Sequence, residues 1–435
     1  MNVEKNIKIG PVELAPGVTR LNFWSFIYAS FICMLILAGL NIMQPYLLNE
    51  ILQLPLDVQG TVSGNLGVWQ QIVSLVLINP FGWMADRIGR RPLLVFGVVV
   101  CGIALALHPY AVNIAQLTGC RLLFAVGTAC VGSLIAIIAN DYPAESSRGT
   151  LIGISGSMNG VGVLFMTLVI TQIPALLTAG GMDGVTAGRI MFLVVAVLCI
   201  SSAVWFRIGL MPGTPRLEAE QPPWKVLMLS GFKAARNPRI SLSYGAAFIG
   251  RADVAITGMF LTLWALAAAP AAGLTSAEAL AKGGMLLGII SVIGIVWVGV
   301  FGLILDRLNR VTGLAISMGI AGAGYSSMWF VTSPLDYAML PWFTLLSIGQ
   351  TSVMVASVTL VGQEAAAGER GTIVAMNGFF GAIGIFLAFA IGGRLFDAVG
   401  PSAPFVMAGI VQLILVVIAI AVRVASPGDP HESST

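Results

Sequence analysis

Apolar residues in this chain come in long blocks instead of in alternation with polar ones. Six blocks, near 22–47, 60–84, 92–110, 116–139, 150–173 and 188–209, are separated by short polar or Pro/Gly interruptions. A longer polar interval follows, and then six more blocks near 240–268, 282–305, 311–331, 339–362, 372–395 and 404–424. Each block approaches the ~20 residues that an α-helix needs to cross ~30 Å of hydrocarbon. The pattern therefore predicts an all-α membrane protein of twelve transmembrane helices. The interval Met211–Arg239 mixes Pro212, Pro215, Pro222 and Pro223 with Glu218, Glu220, Lys225, Lys233 and Arg236, and reads as a linker. The expected organisation is a tail over 1–21, a six-helix bundle over 22–209, a linker over 210–239, a second six-helix bundle over 240–424 and a tail over 425–435. The first block is too long for a signal-peptide core and has further spans behind it, so it is expected to stay as the first helix.

Composition agrees: 57% of the residues are hydrophobic and 9% charged, with a mean hydropathy of +0.93, where a soluble domain carries roughly 25% charged residues. Twelve spans in 435 residues leave little chain for a separate soluble domain. The net charge of +3 is small, and the basic residues gather in particular loops, so no nucleic-acid surface is expected. Arg87, Arg90, Arg91, Arg148, Arg307, Arg310, Arg370 and Arg423 all fall on the side of the amino terminus. The positive-inside rule then places both termini in the cytoplasm, and a bacterial inner membrane is the expected location. Cys33, Cys101, Cys120, Cys130 and Cys199 lie within apolar blocks without metal-ligand or CxxC spacing, and are read as core packing. No metal, cofactor or nucleotide loop is expected. The glycines of the fifth block, Gly149, Gly153, Gly156 and Gly160, lie in an apolar helix with no preceding strand, and are read as close helix packing. His108, near the end of the third block, is read as interfacial.

The chain repeats itself. Gly82-Trp-Met-Ala-Asp86-Arg87-Ile-Gly89-Arg90-Arg91 after the second block corresponds to Gly302-Leu-Ile-Leu-Asp306-Arg307-Leu-Asn309-Arg310 after the eighth. Arg148-Gly149-Thr150 likewise corresponds to Arg370-Gly371-Thr372. Both pairs sit about 220 residues apart, so the halves read as duplicated, pseudo-symmetric six-helix bundles related by an axis along the membrane normal. With these motifs the whole chain resembles the major facilitator superfamily. Gly82, Asp86, Arg87, Gly89, Arg90 and Arg91 match that superfamily's signature between helices two and three, and Gly302, Asp306, Arg307 and Arg310 form a degraded second copy. Gly82 is expected to allow close helix approach, Asp86 to cap or pair at a helix end, and the arginines to hold the loop at an anionic leaflet. The resemblance implies a conformational latch for both loops, and alternating access as the mechanism. In span four, Arg121-Leu-Leu-Phe-Ala125-Val-Gly127 is similar to the family's arginine-and-glycine motif, with Ala125 where a glycine is usual.

Charges inside spans are costly and point to function. Arg121 lies about five residues inside its boundary, roughly 8 Å deep by helical rise. Gly250-Arg251-Ala-Asp253 lies near the middle of span seven, where Asp253 is the acid expected to carry proton coupling. Residues two apart on a regular helix point about 200° apart, so Arg251 and Asp253 are not expected to meet unless the helix is irregular at Gly245 and Gly250. Asn41, Gln44, Gln70, Gln71, Asn159, Gln350 and Asn377 supply uncharged polar groups for a substrate pocket or for helix–helix contacts. Trp69, Trp264 and Trp297 are expected as apolar walls, and Trp24, Trp329 and Trp342 as interfacial belt residues. The reading is a monomeric secondary transporter and not an enzyme: proton-coupled symport of a small organic anion, with Arg121 and Arg251 facing the substrate. The alternative is proton-driven efflux of amphipathic drugs or metabolites; the absence of a Gly-Pro element in span five weighs against it.

Overall fold

The computed structural model describes residues 7–213, 224–364 and 370–426. The linker positions Pro215, Glu218, Glu220, Pro222 and Pro223, and His431 in the tail, lie outside the described residues. A short hairpin, β1 (Lys8–Ile9) and β2 (Val12–Glu13), precedes fourteen α-helices. These are α1 (Arg20–Tyr46), α2 (Leu56–Ile88), α3 (Arg90–Leu107), α4 (Ile114–Asp141), α5 (Arg148–Leu168), α6 (Ile173–Ala179) and α7 (Gly184–Gly209). They continue as α8 (Trp224–Ala234), α9 (Pro238–Ala268), α10 (Ser276–Leu305), α11 (Arg310–Ser326), α12 (Leu340–Glu364), α13 (Arg370–Ala398) and α14 (Ala403–Ala425). Every predicted apolar block coincides with one long helix; α6 and α8 are the short additions. Eleven helical stretches among the described residues are long and apolar enough to cross a membrane. The remaining block forms α11, only 17 residues long, which continues as a 3₁₀ turn over Ser327–Phe330.

Polar residues at the block edges set the helix starts. Thr19 and Asn22 form a capping box on α1, Asn113 caps α4, Asp183 caps α7, and Asn237 caps α9 with Pro238 in its first turn. Each side chain accepts from a backbone N–H that the helix cannot satisfy itself. Asp183 is held below the usual carboxylate range by the Thr186 N–H that it accepts.

The chain divides into two units. The first comprises Met1–Leu54, Trp69–Glu218 and Ser276–Met285; the second comprises Pro55–Val68, Ala219–Thr275 and Leu286–Thr435. Within the first, α3 packs on α4 and α7, and α1 packs on α5. Within the second, α11 packs on α12 and α14, and α9 packs on α13. These are the same pairings in duplicate. The duplication reaches single bonds: Asn22 Nδ2 donates to the Gly209 carbonyl, and Arg239 Nε, 217 residues further on, donates to the Ser426 carbonyl, also 217 residues further on.

Lipid removes the aqueous drive for helix association, so close backbone approach carries more of it. In the second unit a Cβ on Gly324 would stand 2.7 Å from the Leu346 nitrogen, and one on Gly349 would stand 2.3 Å from the Ala321 Cα, which fixes α11 against α12. The core there gathers Leu242, Phe301, Leu314, Met318, Val353 and Leu360. Also in this unit, the beginning of α2 lies on the end of α13: a Cβ on Gly64 would meet the Phe389 carbonyl oxygen at 2.4 Å, and Asp397 accepts from the Gly60 and Thr61 N–H groups at 2.8 and 2.7 Å.

Two expectations about glycines are corrected. Among the described residues nothing lies within 4 Å of a Cβ placed on Gly149, Gly153 or Gly156, so this side of α5 is open; it is Gly162 that packs, against the Phe31 carbonyl and the Leu35 nitrogen. Gly82 and Gly302 are also in open space, and Gly89 is the glycine that the loop requires. Residues 12–15, ahead of α1, pack onto the loop between α4 and α5. Val12 and Leu14 are fully buried, Leu14 bridges to Pro143, the Ala15 N–H donates to the Tyr142 carbonyl, and the Ala144 N–H donates to the Glu13 carbonyl.

Candidate functional site

Two groups of buried polar side chains stand out, one in each unit. In the second unit α9 is an unbroken helix, and its regular turn sends Arg251 and Asp253 apart. Phe248 and Arg251 face α13, whose Gly381 and Gly384 leave room for the arginine stem and for the Phe248 carbonyl. Gly250 faces Val353 of α12. Between these contacts Arg251 and Val254 form an exposed stripe on a helix otherwise buried among its neighbours. Among the described residues, Arg251 has no hydrogen-bond or ion-pair partner.

Asp253 points the other way and is fully buried. Gln412 of α14 donates from Nε2 to Asp253 Oδ2 at 2.7 Å. Among the described residues, Asp253 Oδ1 and Gln412 Oε1 are buried without partners. One turn further along α9, Thr257 lies 2.9 Å from the Tyr325 hydroxyl of α11, and that hydroxyl donates to Gln350 Oε1 of α12 at 2.9 Å. Sequence reasoning missed Gln412, Thr257 and Tyr325. Gln412 is the one uncharged polar side chain in its apolar block, which was the available signal; Thr257 and Tyr325 share their blocks with other polar residues.

In the first unit Arg121 is fully buried, so it does not snorkel to an interface. It donates through Nη1 to Gln44 Oε1 at 2.9 Å and through Nη2 to Asn41 Oδ1. The structure thus brings together three residues that the sequence offered separately. His108 joins them and is corrected from interfacial to buried: its ring stacks on Phe192, meets Phe124 edge-on, and sets Nδ1 2.8 Å from the Ala104 carbonyl. Arg121 Nε, Gln44 Nε2 and His108 Nε2 are buried without partners.

The other expected residues are dispersed. Gln70, Gln71 and Asn159 are half-buried. Asn377 donates to Ser243 between α13 and α9. Trp297 donates to Ser352 at 2.8 Å and stacks on Phe301. Trp264 lines a cavity of about 560 Å³ with Ala267, Val331, Ser333 and Asp336. Trp24, Trp329 and Trp342 are exposed.

The two repeated loops are built alike. Arg90 donates to the Ala85 carbonyl at 3.0 Å and pairs with Asp86 at 3.0 Å; Arg310 donates to the Leu305 carbonyl at 2.7 Å and pairs with Asp306 at 3.3 Å. Each partner is displaced by the same 220 residues. Arg90 has a second carboxylate, Asp141, at 2.9 Å. Arg91 reaches the Leu210 carbonyl, and Arg87 lies over the Trp83 ring at 4.0 Å; Arg307 is exposed.

Among the described residues, eleven helical stretches able to cross a membrane, together with the shorter α11, in two duplicated sets with buried charge inside the spans, define a polytopic membrane transporter. The chain belongs to the Major Facilitator Superfamily, whose family model matches residues 26–388 and, in a second match, 300–435; it is a secondary transporter and not an enzyme. It is 26% identical over 414 residues to the magnetosome protein MamH of Paramagnetospirillum magneticum, covering 93% of each chain. It is 25% identical to the magnetosome protein MamZ of the same organism, over 91% of this chain and 62% of MamZ. A shorter stretch, 101 residues or 22% of this chain and 19% of the relative, is 33% identical to inorganic phosphate transporter 1-2 of Oryza sativa subsp. japonica. The crystal structure of the nucleoside transporter NupG shares the fold with a TM-score of 0.72 at 14% identity, over 94% of this chain and all of NupG.

Proposed function

We propose that this protein carries a small organic anion across the bacterial inner membrane together with a proton, by alternating access, with both termini in the cytoplasm. One observation carries the reading: Arg251 is an exposed guanidinium in the middle of a membrane-spanning helix, without a hydrogen-bond or ion-pair partner among the described residues. A cation at that depth is costly to hold without a counter-charge, and an anionic substrate supplies one. Arg121 acts at a distance, fixing α4 to α1 through Asn41 and Gln44. Asp253, held only by a neutral amide, is the proton site. The loops at Asp86–Arg90 and Asp306–Arg310 serve as conformational latches.

An inorganic oxyanion is the second reading, favoured by the partial match to a plant phosphate transporter. The test is a thermal-shift screen of the purified protein against carboxylates, inorganic phosphate and lipophilic cations, run beside Arg251→Ala. A ligand that binds the folded state raises its melting temperature. Stabilisation by carboxylates that vanishes in Arg251→Ala supports the first reading, and stabilisation by phosphate alone supports the second. Stabilisation by lipophilic cations that is indifferent to the substitution would overturn both in favour of efflux.

A further inference from the structure

Asp253 and Gln412 leave two acceptor oxygens buried beside one good hydrogen bond. The amide N–H already goes to Oδ2 at 2.7 Å, so the atoms left over are Asp253 Oδ1 and Gln412 Oε1, and both are buried without a partner. Two oxygens cannot satisfy each other, because each is an acceptor. Leaving buried polar atoms unpaired carries their full desolvation penalty. One added proton resolves both: Oδ1–H becomes a donor, Oε1 accepts it, and the carboxyl and carboxamide close a pair of antiparallel hydrogen bonds. We infer that Asp253 and Gln412 form an acid–amide pair that holds one proton in this conformation, with Gln412 as the positioning residue that makes the protonated form fit.

The surroundings agree. From α11, Tyr325 is the titratable group close enough to feel a charge on Asp253, and a phenol offers no compensating cation. From α12 comes Gln350, which is neutral and bonded to Tyr325. On α9 itself Arg251 is turned toward α13 at Gly381, and Thr257 is engaged with Tyr325. An ionised Asp253 would thus be a buried charge bonded by one neutral amide, an arrangement that proteins rarely keep. Release of the proton requires the pair to part, so protonation is tied to the seating of α14 on α9.

The inference rests on reading Asp253 as the proton site, and its test separates the two. Infrared spectra of the full-length protein in nanodiscs at neutral pH are compared for wild type, Asp253→Asn and Gln412→Leu. The expected result is a protonated-carboxyl C=O band that disappears in Asp253→Asn and moves to higher frequency in Gln412→Leu, where the carbonyl loses its hydrogen bond. Gln412→Met, of matching length, serves if Gln412→Leu does not fold. A wild-type spectrum with no such band at Asp253, or a band that neither Gln412 variant moves, overturns the inference. If proton-gradient-driven uptake is lost in Asp253→Asn while that band ignores Gln412, the pair fails and the transport reading stands. If the band shifts as expected but uptake ignores the proton gradient, the pair stands and the transport reading fails.

Discussion

Gly89 and Asn309 occupy equivalent positions in the two repeated loops, and each begins the next helix by a different device. Gly89 has φ +100° and no side-chain cap, and a Cβ there would lie 2.6 Å from the Gly213 carbonyl oxygen. Asn309 has φ −58° and caps α11 by accepting from the Val311 N–H at 3.1 Å. Gly89→Ala should therefore cost about 1–3 kcal/mol of stability through backbone strain. Loss of the cap should cost about 1 kcal/mol in Asn309→Ala and a few tenths in Asn309→Gly. Unfolding in detergent measures all three, and a Gly89→Ala protein more stable than Asn309→Ala would refute the distinction. At this scale the sequence showed where charge sits but not what it touches. Arg251 and Asp253 were conspicuous in an apolar block, and helical geometry alone separated them. Gln412, which holds Asp253, lies 159 residues away, and no local pattern links the two.

Among the helices, the contact between the start of α2 and the end of α13 has no slack. Gly64→Leu must displace the Phe389 backbone, and overpacking of this kind costs about 1–3 kcal/mol. Gly153→Leu, on the open side of α5, should stay within about 0.5 kcal/mol of wild type. Equal losses in melting temperature for the two variants would contradict the packing described. All twelve apolar blocks were legible because the hydrocarbon requirement acts on each segment independently of its neighbours. Which glycine touches which helix was not legible. The same small residue serves a tight contact at Gly64 and an open face at Gly153, and only the neighbour decides. The β1–β2 hairpin was missed for a related reason: its support comes from Ser147 and Pro143, more than a hundred residues along the chain.

Across the whole molecule the repeat was legible to the level of individual ion pairs, because both copies of the loop kept Asp and Arg at matching positions. The tie between the amino terminus, the α4–α5 loop and the end of α7 was not, since it has no counterpart motif. Tyr142 is its centre: its carbonyl accepts from Ala15, and its hydroxyl accepts from the Met211 N–H at 2.9 Å. Burial pushes that phenol up to about 12, above the ordinary value near 10. Because the folded state holds the proton more tightly than the unfolded one, its contribution is complete below pH ~10 and is lost as pH rises toward 12. Wild type should therefore lose about 2–3 kcal/mol over that window, and Tyr142→Phe should show a shallower decline in alkaline unfolding experiments. A Tyr142→Phe profile parallel to wild type would remove Tyr142 as the cause.

That same tie also orders events during synthesis. Leu14 leaves the ribosome well before its partner Pro143, and the Met211 contact to Tyr142 emerges later still. The stretch around Leu14 is thus made well before the partners that place it. A ribosome stalled before residue 211 should carry the segment around Leu14 open to protease, and one stalled well beyond it should not.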